Sequence, residues 1–163
     1  MYLLDANTYI QAKNYHYQMG FCPAYWDFLH QQFETGMLAS VSQVYDELRG
    51  QNDELATWAE AHKQHFHLLT SKELQAKFSL IANHVMSLPN KAAASVSTFL
   101  AGADPWLIAV ASLTNETVVT HEKSVADNSR KIKIPNICRD FNMSCIDPFK
   151  LLSELKAQFI LEK

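Results

Sequence analysis

Short runs of β-forming residues alternate along this chain with longer stretches whose apolar residues have helical spacing. The runs lie at residues 2–4, 38–40, 67–69, 118–120 and 144–146. The stretches between them predict helices over residues 24–34, 44–49, 54–66, 72–87, 105–113 and 148–159. Such alternation is typical of a parallel sheet covered by helices. The sequence therefore predicts an α/β fold with a central parallel sheet of about five strands.

Residues that begin helices support several of these boundaries. Asp104-Pro105 and Asp147-Pro148 each place a capping acid before a proline, which is favoured at the first helical position because its missing N–H is not needed there. Ser71 is a suitable cap for the helix over 72–87. Because no internal repeat or linker-like segment interrupts the pattern, we expect residues 1–163 to form a single domain.

The three cysteines are odd in number, lie far apart and form no CxxC pair. They predict a reducing, cytoplasmic compartment, with Cys138 and Cys145 as buried apolar side chains. Asp5 interrupts the N-terminal apolar stretch too early for a signal peptide. The longest apolar run, 106–111, is too short to cross a bilayer, so we expect no membrane insertion.

The net charge of −3 argues against a broad basic surface for nucleic acid. It does not exclude RNA, because divalent cations held between carboxylates and phosphate invert the local electrostatics. An acidic site with bound cations therefore stays compatible with an RNA substrate.

Two acids lie just after predicted strands. Asp5 follows the first strand, and Glu122 follows the strand that contains TVVT. Because parallel strands present ligand-binding residues at their carboxyl ends, both acids are candidates for one site. The alternatives are a capping or turn role for Asp5 and an ordinary loop position for Glu122. Asn7 is either a residue that orients a metal-bound water or a turn residue.

Two further acids are predicted on helices. Glu47 projects near the margin of an apolar helical face, although a lone helical Glu is usually a solvated surface residue. Asp104 opens the apolar stretch ADPWLIAVASL, where a capping role and a site role are compatible. Together the four acids suit hard divalent cations, which prefer carboxylate oxygens.

The segment after Glu122 contains a local excess of basic residues, namely Lys123, Arg130, Lys131 and Lys133. These side chains are candidates for binding RNA phosphates. The alternative is an exposed loop whose charges only keep it soluble.

Aromatic residues near the first turn are candidates for stacking on unpaired bases: Tyr9, Tyr15, His16 and Tyr17. The alternative is that they belong to the core or its rim. His62, His65 and His67 form a second cluster, but their spacing does not predict a zinc site. The chain also has no glycine-rich phosphate loop and no GxSxG motif.

Several segments together resemble PIN-domain nucleases, and more closely the DUF4411 branch of PIN-like proteins. They are YLLDANTYI, CPAYWDFL, VYDELRG, DELATWAE, ADPWLIAVA and KIPNICRDFNMSCIDPF, which run nearly from end to end. PIN domains often carry Asp at the fourth acidic position, whereas VVTHEKS offers Glu122 preceded by His121.

The resemblance implies a three-layer fold with strand order 3-2-1-4-5, in which Asp5 and Glu122 converge. It also implies that Asp5, Glu47, Asp104 and Glu122 bind one or two Mg²⁺ or Mn²⁺ ions, with Asn7 and Thr120 in support. The expected activity is endoribonuclease cleavage that leaves 5′-phosphate and 3′-hydroxyl ends. A toxin role with a protein antitoxin, and a homodimer, are further expectations of the same kind.

Two other functions compete with the nuclease hypothesis. LLDANT matches the nucleophile segment of haloacid-dehalogenase-like phosphatases, but the second Asp of that motif is replaced by Asn7. A PIN-like module that binds RNA or protein without cutting is the alternative without catalysis.

Overall fold

A computed structural model describes residues 1–68 and 70–160, and these residues form five strands and nine α-helices. The strands are β1 (Tyr2–Leu4), β2 (Leu38–Val41), β3 (Phe66–His67), β4 (Thr117–Val119) and β5 (Cys145–Ile146). The helices are α1 (Ala6–Gln11), α2 (Pro23–Glu34), α3 (Ser42–Arg49), α4 (Glu54–Ala61), α5 (Lys72–Ser87), α6 (Ala93–Ala101), α7 (Asp104–Thr114), α8 (Ile134–Asp140) and α9 (Pro148–Glu154). A π-helical turn over Ala12–His16 follows α1, and a 3-10 turn over Lys63–His65 leads into β3.

The five strands form one parallel sheet in the order β3-β2-β1-β4-β5, which confirms the predicted fold class and strand order. Leu3 pairs with Ala39 on one side and with Val118 on the other. Strands β2 and β3 lie on one side of β1, and β4 and β5 lie on its other side. The boundary between β1 and β4 is therefore the point where the order reverses, and ligands of open α/β sheets bind at the carboxyl ends of strands there.

Helix α7 is the most deeply buried helix segment near this boundary. Its buried residues are Pro105, Leu107, Ile108, Ala109, Val110 and Ala111, which accounts for the apolar run in the sequence. Helix α5 packs on α7, with the Phe78 and Trp106 rings stacked at 4.0 Å between centroids. Within the described ranges no individual helix has the length and apolar character of a membrane span, although α6 and α7, bent by 61°, meet those criteria as a pair.

Two predicted helices end earlier than expected. The prediction over 54–66 is wrong at its end because α4 stops at Ala61, and Phe66 already pairs with Ser40 of β2. The prediction over 148–159 is also too long, since α9 ends at Glu154 and Lys156 has a positive φ of 53° that interrupts a right-handed helix. Leu69, the end of the predicted third strand, lies outside the described residues.

Three helices were not predicted. Helix α1 starts immediately after Asp5 without a loop, so no turn-forming residues separate the strand from the helix. Helix α6, AASVSTFLA, buries only Phe99, so it lacks an apolar stripe of the kind that predicts a helix. Helix α8 is short and begins at Ile134-Pro135.

Leu107→Ala should lower the free energy of unfolding by about 2–5 kcal/mol, because the side chain is 0% exposed and its loss leaves a cavity. Leu113→Ala on the same helix is the matched control, since Leu113 is 41% exposed and should cost much less. Urea unfolding of both variants measures the difference. Equal losses would contradict the packing of α7 described above.

Candidate functional site

Asp5 directly follows β1 and is only 2% exposed. Its Oδ1 accepts hydrogen bonds from the backbone N–H of Thr8 at 2.7 Å and from the Thr8 hydroxyl at 2.6 Å. Its Oδ2 accepts a hydrogen bond from the Thr120 hydroxyl at 2.6 Å. Asp5 is therefore the N-cap of α1, as one of the sequence alternatives proposed. Burial outweighs these hydrogen bonds and raises the pKa of Asp5 to about 6.

Thr120 connects Asp5 to Glu122. The buried Thr120 hydroxyl donates to Asp5 and accepts a hydrogen bond from the backbone N–H of Glu122 at 3.0 Å. The backbone N–H of Asp5 also donates to the Val119 carbonyl at 3.1 Å. The pairing of β1 with β4 thus brings residues 5 and 120–122 together at the carboxyl edge of the sheet.

The carboxylate of Glu122 has two partners near the start of α8. It forms an ion pair with Lys133, and its Oε2 accepts a hydrogen bond from the backbone N–H of Ile134 at 2.8 Å. The cap position of α8 is Lys133, whose side chain makes no capping bond. Glu122 therefore satisfies a backbone donor at the helix start that would otherwise be unpaired.

Glu47 reaches from α3 to the start of α7. Its Oε1 accepts a hydrogen bond from the backbone N–H of Ala103 at 2.8 Å. A Cβ at Gly102 would lie 3.2 Å from the same oxygen, so a glycine permits the close approach. Glu47 consequently does not extend into bulk solvent, which is the ordinary expectation for a lone helical Glu.

Asp104 lies among the other three acids. It is the first residue of α7, and the cap position is Ala103, so the predicted role of Asp104 as the helix cap is wrong. The donor at Ala103 is satisfied by Glu47 instead. Burial, as the largest cause, and then the nearby charges of Asp5, Glu122 and Glu47 together raise the pKa of Asp104 to about 7, although Lys133 opposes them.

A cleft of about 390 Å³ opens beside Asp104 and Glu122. Lys131 and Lys133 also line it, together with Ala94, Ser95, Thr98, Phe99 and Ile132 from α6 and the segment before α8. The cleft therefore offers carboxylates on one side and ammonium groups nearby. Such a combination can accommodate a phosphate group whose charge is balanced by cations.

The four predicted phosphate-binding residues are divided by the structure. Lys131 and Lys133 line the cleft, whereas Lys123 lies 3.4 Å from Asp147 in an exposed ion pair. Arg130 is exposed and does not line the cleft, and its backbone carbonyl accepts a hydrogen bond from Ala92.

Asn7 lies inside α1, so its interpretation as a turn residue is wrong. Its side-chain oxygen accepts a hydrogen bond from the amide of Gln11 at 3.1 Å. This contact runs along the helix and gives Asn7 a local role in α1.

The aromatic candidates also separate into two groups. Tyr9 is fully buried in the core, which excludes its stacking on a base. Tyr17 stacks on Tyr25, with 4.2 Å between the ring centroids. Tyr15 is 74% exposed, and His16 is also exposed.

An exposed aromatic patch that the sequence did not predict adjoins the acids. His16 stacks on His121 at 5.3 Å and meets the edge of Phe149 at the same distance. His121 directly precedes Glu122 in the chain, whereas Phe149 lies in α9. We call His16, His121 and Phe149 the aromatic patch.

The acids surround a space wider than a compact ion site. Among the described residues, the one triplet of potential ligands whose atoms all lie within 4.8 Å of one another is His30, Glu34 and His65, at another place in the fold. The acidic carboxylates would therefore have to move closer together to share a single ion.

One family model matches residues 2–159, nearly the entire chain, and it is described as a domain of unknown function, DUF4411. No curated protein and no solved structure matches the chain.

In protein kept free of metal by chelator, the Asp104→Asn variant should gain stability relative to wild type as the pH rises. A folded pKa of about 7 for Asp104, above its ordinary value, contributes stability at low pH that is lost as the pH rises through 7. The variant lacks this loss. We expect the free energy of unfolding of the variant, relative to wild type, to increase by about 1–3 kcal/mol between pH 5 and pH 8.

Denaturant unfolding at each pH provides the measurement. Asp46→Asn, an exposed acid on α3, is the control and should show no such trend. A constant difference between Asp104→Asn and wild type across this pH range would refute the raised pKa of Asp104.

Proposed function

We propose a function for this chain, which belongs to the DUF4411 family of domains of unknown function: it is a divalent-cation-dependent nuclease that hydrolyses RNA phosphodiester bonds. The observation that carries the proposal is the convergence of the four acids: the Thr120 hydroxyl joins Asp5 to Glu122, Glu47 bonds the N–H of the residue before Asp104, and Asp104 and Glu122 line one cleft. The four acids come from separate elements, and their mutual repulsion destabilises the ionised cluster. A bound cation would offset this repulsion.

The donor set fits Mg²⁺ or Mn²⁺, which prefer oxygen ligands. Asp5 Oδ1 already accepts two hydrogen bonds, but Oδ2 accepts one and has a lone pair left for a cation. Asp104 lines the cleft directly, and Glu47 uses Oε1 for Ala103. Asp5, Glu47 and Asp104 would therefore hold the ion, while Glu122, engaged by Lys133, would add charge to the site.

A divalent ion bound here would supply a water of lowered pKa and neutralise charge on the scissile phosphate. The protein's own residues contribute orientation. Thr120 and Thr8 fix the Asp5 carboxylate, and the Ala103 N–H fixes that of Glu47. Carboxylates held in this way need little rearrangement during the reaction.

Lys131 and Lys133 are suited to the substrate phosphates because both line the cleft next to Asp104. The aromatic patch offers rings for unpaired bases, which supports single-stranded RNA as the substrate. The resemblance to PIN nucleases supports the same choice, together with 5′-phosphate and 3′-hydroxyl products. A toxin role with a protein antitoxin, a homodimer and a cytoplasmic location are proposals that depend on that resemblance and on the cysteine pattern.

The two competing functions have less support. A phosphatase of the haloacid-dehalogenase kind needs a second Asp two residues after its nucleophile, but this chain has Asn7 there, and the Asn7 side chain is bonded to Gln11 within α1. A binding module without catalysis does not require four acids whose charges repel one another. It makes a distinct prediction, because it would retain RNA without cutting it.

Asp104→Asn and Glu47→Gln should each reduce RNA cleavage at least about 100-fold, because a neutral amide cannot balance the charge of a divalent cation. The assay uses purified protein with structured and unstructured RNAs, in Mn²⁺, in Mg²⁺ and in chelator. Asp46→Asn, one residue before Glu47 and exposed, is the matched control and should cut at the wild-type rate. Wild-type protein that binds RNA but does not cleave it with either ion would favour the binding module.

Lys131→Ala should weaken RNA binding to a similar extent for all sequences and make it less sensitive to salt. Removal of one phosphate contact to single-stranded RNA should reduce the slope of log affinity against log salt concentration by about 0.7. Fluorescence anisotropy with Asp104→Asn as the non-cleaving background measures this slope. Lys72→Ala, a substitution of an exposed residue on α5, should leave the slope unchanged. If Lys131→Ala has the same slope as wild type, RNA does not bind in the cleft.

A further inference from the structure

A second cluster of metal-ligating side chains lies on the other side of the fold. His30 and Glu34 are four residues apart on α2 and share one helical face. His65 ends the 3-10 turn that leads into β3. These residues precede β2 and β3, so the cluster lies towards the amino ends of those strands, whereas the four acids lie at the carboxyl ends of β1 and β4.

The sequence did not predict this cluster because its members come from distant parts of the chain. His62, His65 and His67 are close in sequence, but His67 is exposed in β3. The partners of His65 are instead His30, 35 residues away, and Glu34.

Two of the distances within the cluster are close to those around a tetrahedral ion. His30 Nδ1 lies 3.2 Å from His65 Nε2, and Glu34 Oε1 lies 3.5 Å from the same nitrogen. All three ligand atoms lie within 4.8 Å of one another. Two ligands at about 2.0–2.1 Å from zinc are separated by about 3.3–3.4 Å at the tetrahedral angle.

The buried imidazole of His65 is not satisfied by the protein alone. His65 is 3% exposed, and its Nδ1 has no hydrogen-bond partner in the described part of the chain. Its ring stacks on Phe33 at 4.1 Å with a 6° angle between planes, which fixes its orientation. Nε2 of this fixed ring is the nitrogen that faces His30 and Glu34, so the Nε2 lone pair of a neutral imidazole can point between them.

His62 adds a third imidazole beside the cluster. Its Nδ1 lies 2.8 Å from the Trp58 carbonyl, and its ring centroid lies 4.8 Å from that of His30. An imidazole that donates one N–H to a backbone carbonyl is the usual arrangement around protein metal sites. The surroundings of the cluster are therefore rich in nitrogen donors.

We propose that His30, Glu34 and His65 bind a zinc-class transition-metal ion that ties α2 to the segment before β3. Two imidazoles and one carboxylate favour Zn²⁺ over Mg²⁺, which prefers oxygen ligands alone. The site is separate from the acidic cleft and does not depend on the nuclease proposal. The ion would stabilise the folded protein by binding the native arrangement.

The test uses untagged full-length protein after exhaustive chelation, titrated with Zn²⁺ alone by calorimetry and followed by thermal melts. Wild type should bind one Zn²⁺ at this site and melt at a higher temperature when it does. His30→Gln and Glu34→Gln should each weaken this binding at least about 10-fold. The Glu34 side chain is 58% exposed, so its substitution leaves the fold intact.

His67→Gln is the matched control, because it removes an exposed histidine close to the cluster, and it should retain wild-type affinity. Asp104→Asn should also retain it, which separates this site from the acidic one. The proposal is overturned if chelated wild type binds no Zn²⁺, if both ligand variants bind it as tightly as wild type, or if Asp104→Asn abolishes the binding.

Discussion

The parallel pairing of β1 with β4 is the constraint that determines where the acids meet. Because the two strands are parallel, the chain leaves both at the same edge, where Asp5 directly follows β1 and Glu122 lies shortly after β4. Thr120 then joins them through one hydroxyl that donates to Asp5 and accepts from Glu122. Helix α7 starts close to this point, which brings Asp104 into the same group of charges.

Hydrogen bonds hold this unfavourable charge cluster in place. Asp5 caps α1, Glu47 binds the donor before α7, and Glu122 binds the donor at the start of α8. Three acids thus satisfy backbone groups at helix starts, where the helix dipole also favours negative charge. Asp104 lies within its own helix and faces the charges of the other three, and its pKa is the higher of the two raised aspartate values.

This arrangement gives the acids two roles at once. Their contacts with helix starts make them structural, and their proximity to one another makes them suited to a divalent ion. The balance differs among them, because Glu122 is paired with Lys133, whereas the Asp104 carboxylate faces the cleft. We therefore place Asp104, Asp5 and Glu47 at the centre of the proposed ion site and Glu122 at its margin.

Local sequence patterns predicted those features that local interactions decide. The strands and α5 follow from periodicity and from a capping residue such as Ser71. The convergence of Asp5 and Glu122 followed from strand ends together with the strand order that the family resemblance implied. Helix α6 lacks an apolar stripe, so its sequence did not distinguish it from a loop.

Contacts between distant segments were beyond the reach of such patterns. The bond from Glu47 to Ala103 spans 56 residues, and it decided which acid satisfies the start of α7. Such patterns also did not predict the aromatic patch, in which His16 of the π-helical turn contacts Phe149 of α9. They did not predict the contact between His30 and His65 either. Side-chain packing in three dimensions brings these groups together, and neither periodicity nor capping residues encode it.

Crystallography of the protein with Mn²⁺ tests the central claim most directly, because anomalous scattering locates the ion without reference to activity. The account predicts a peak between Asp5 and Asp104 at the carboxyl edge of the sheet, within about 2.5 Å of a carboxylate oxygen from each. The Glu47 carboxylate should lie in the same coordination shell, directly or through water. Crystals soaked with saturating Mn²⁺ that show no peak at this position would contradict it.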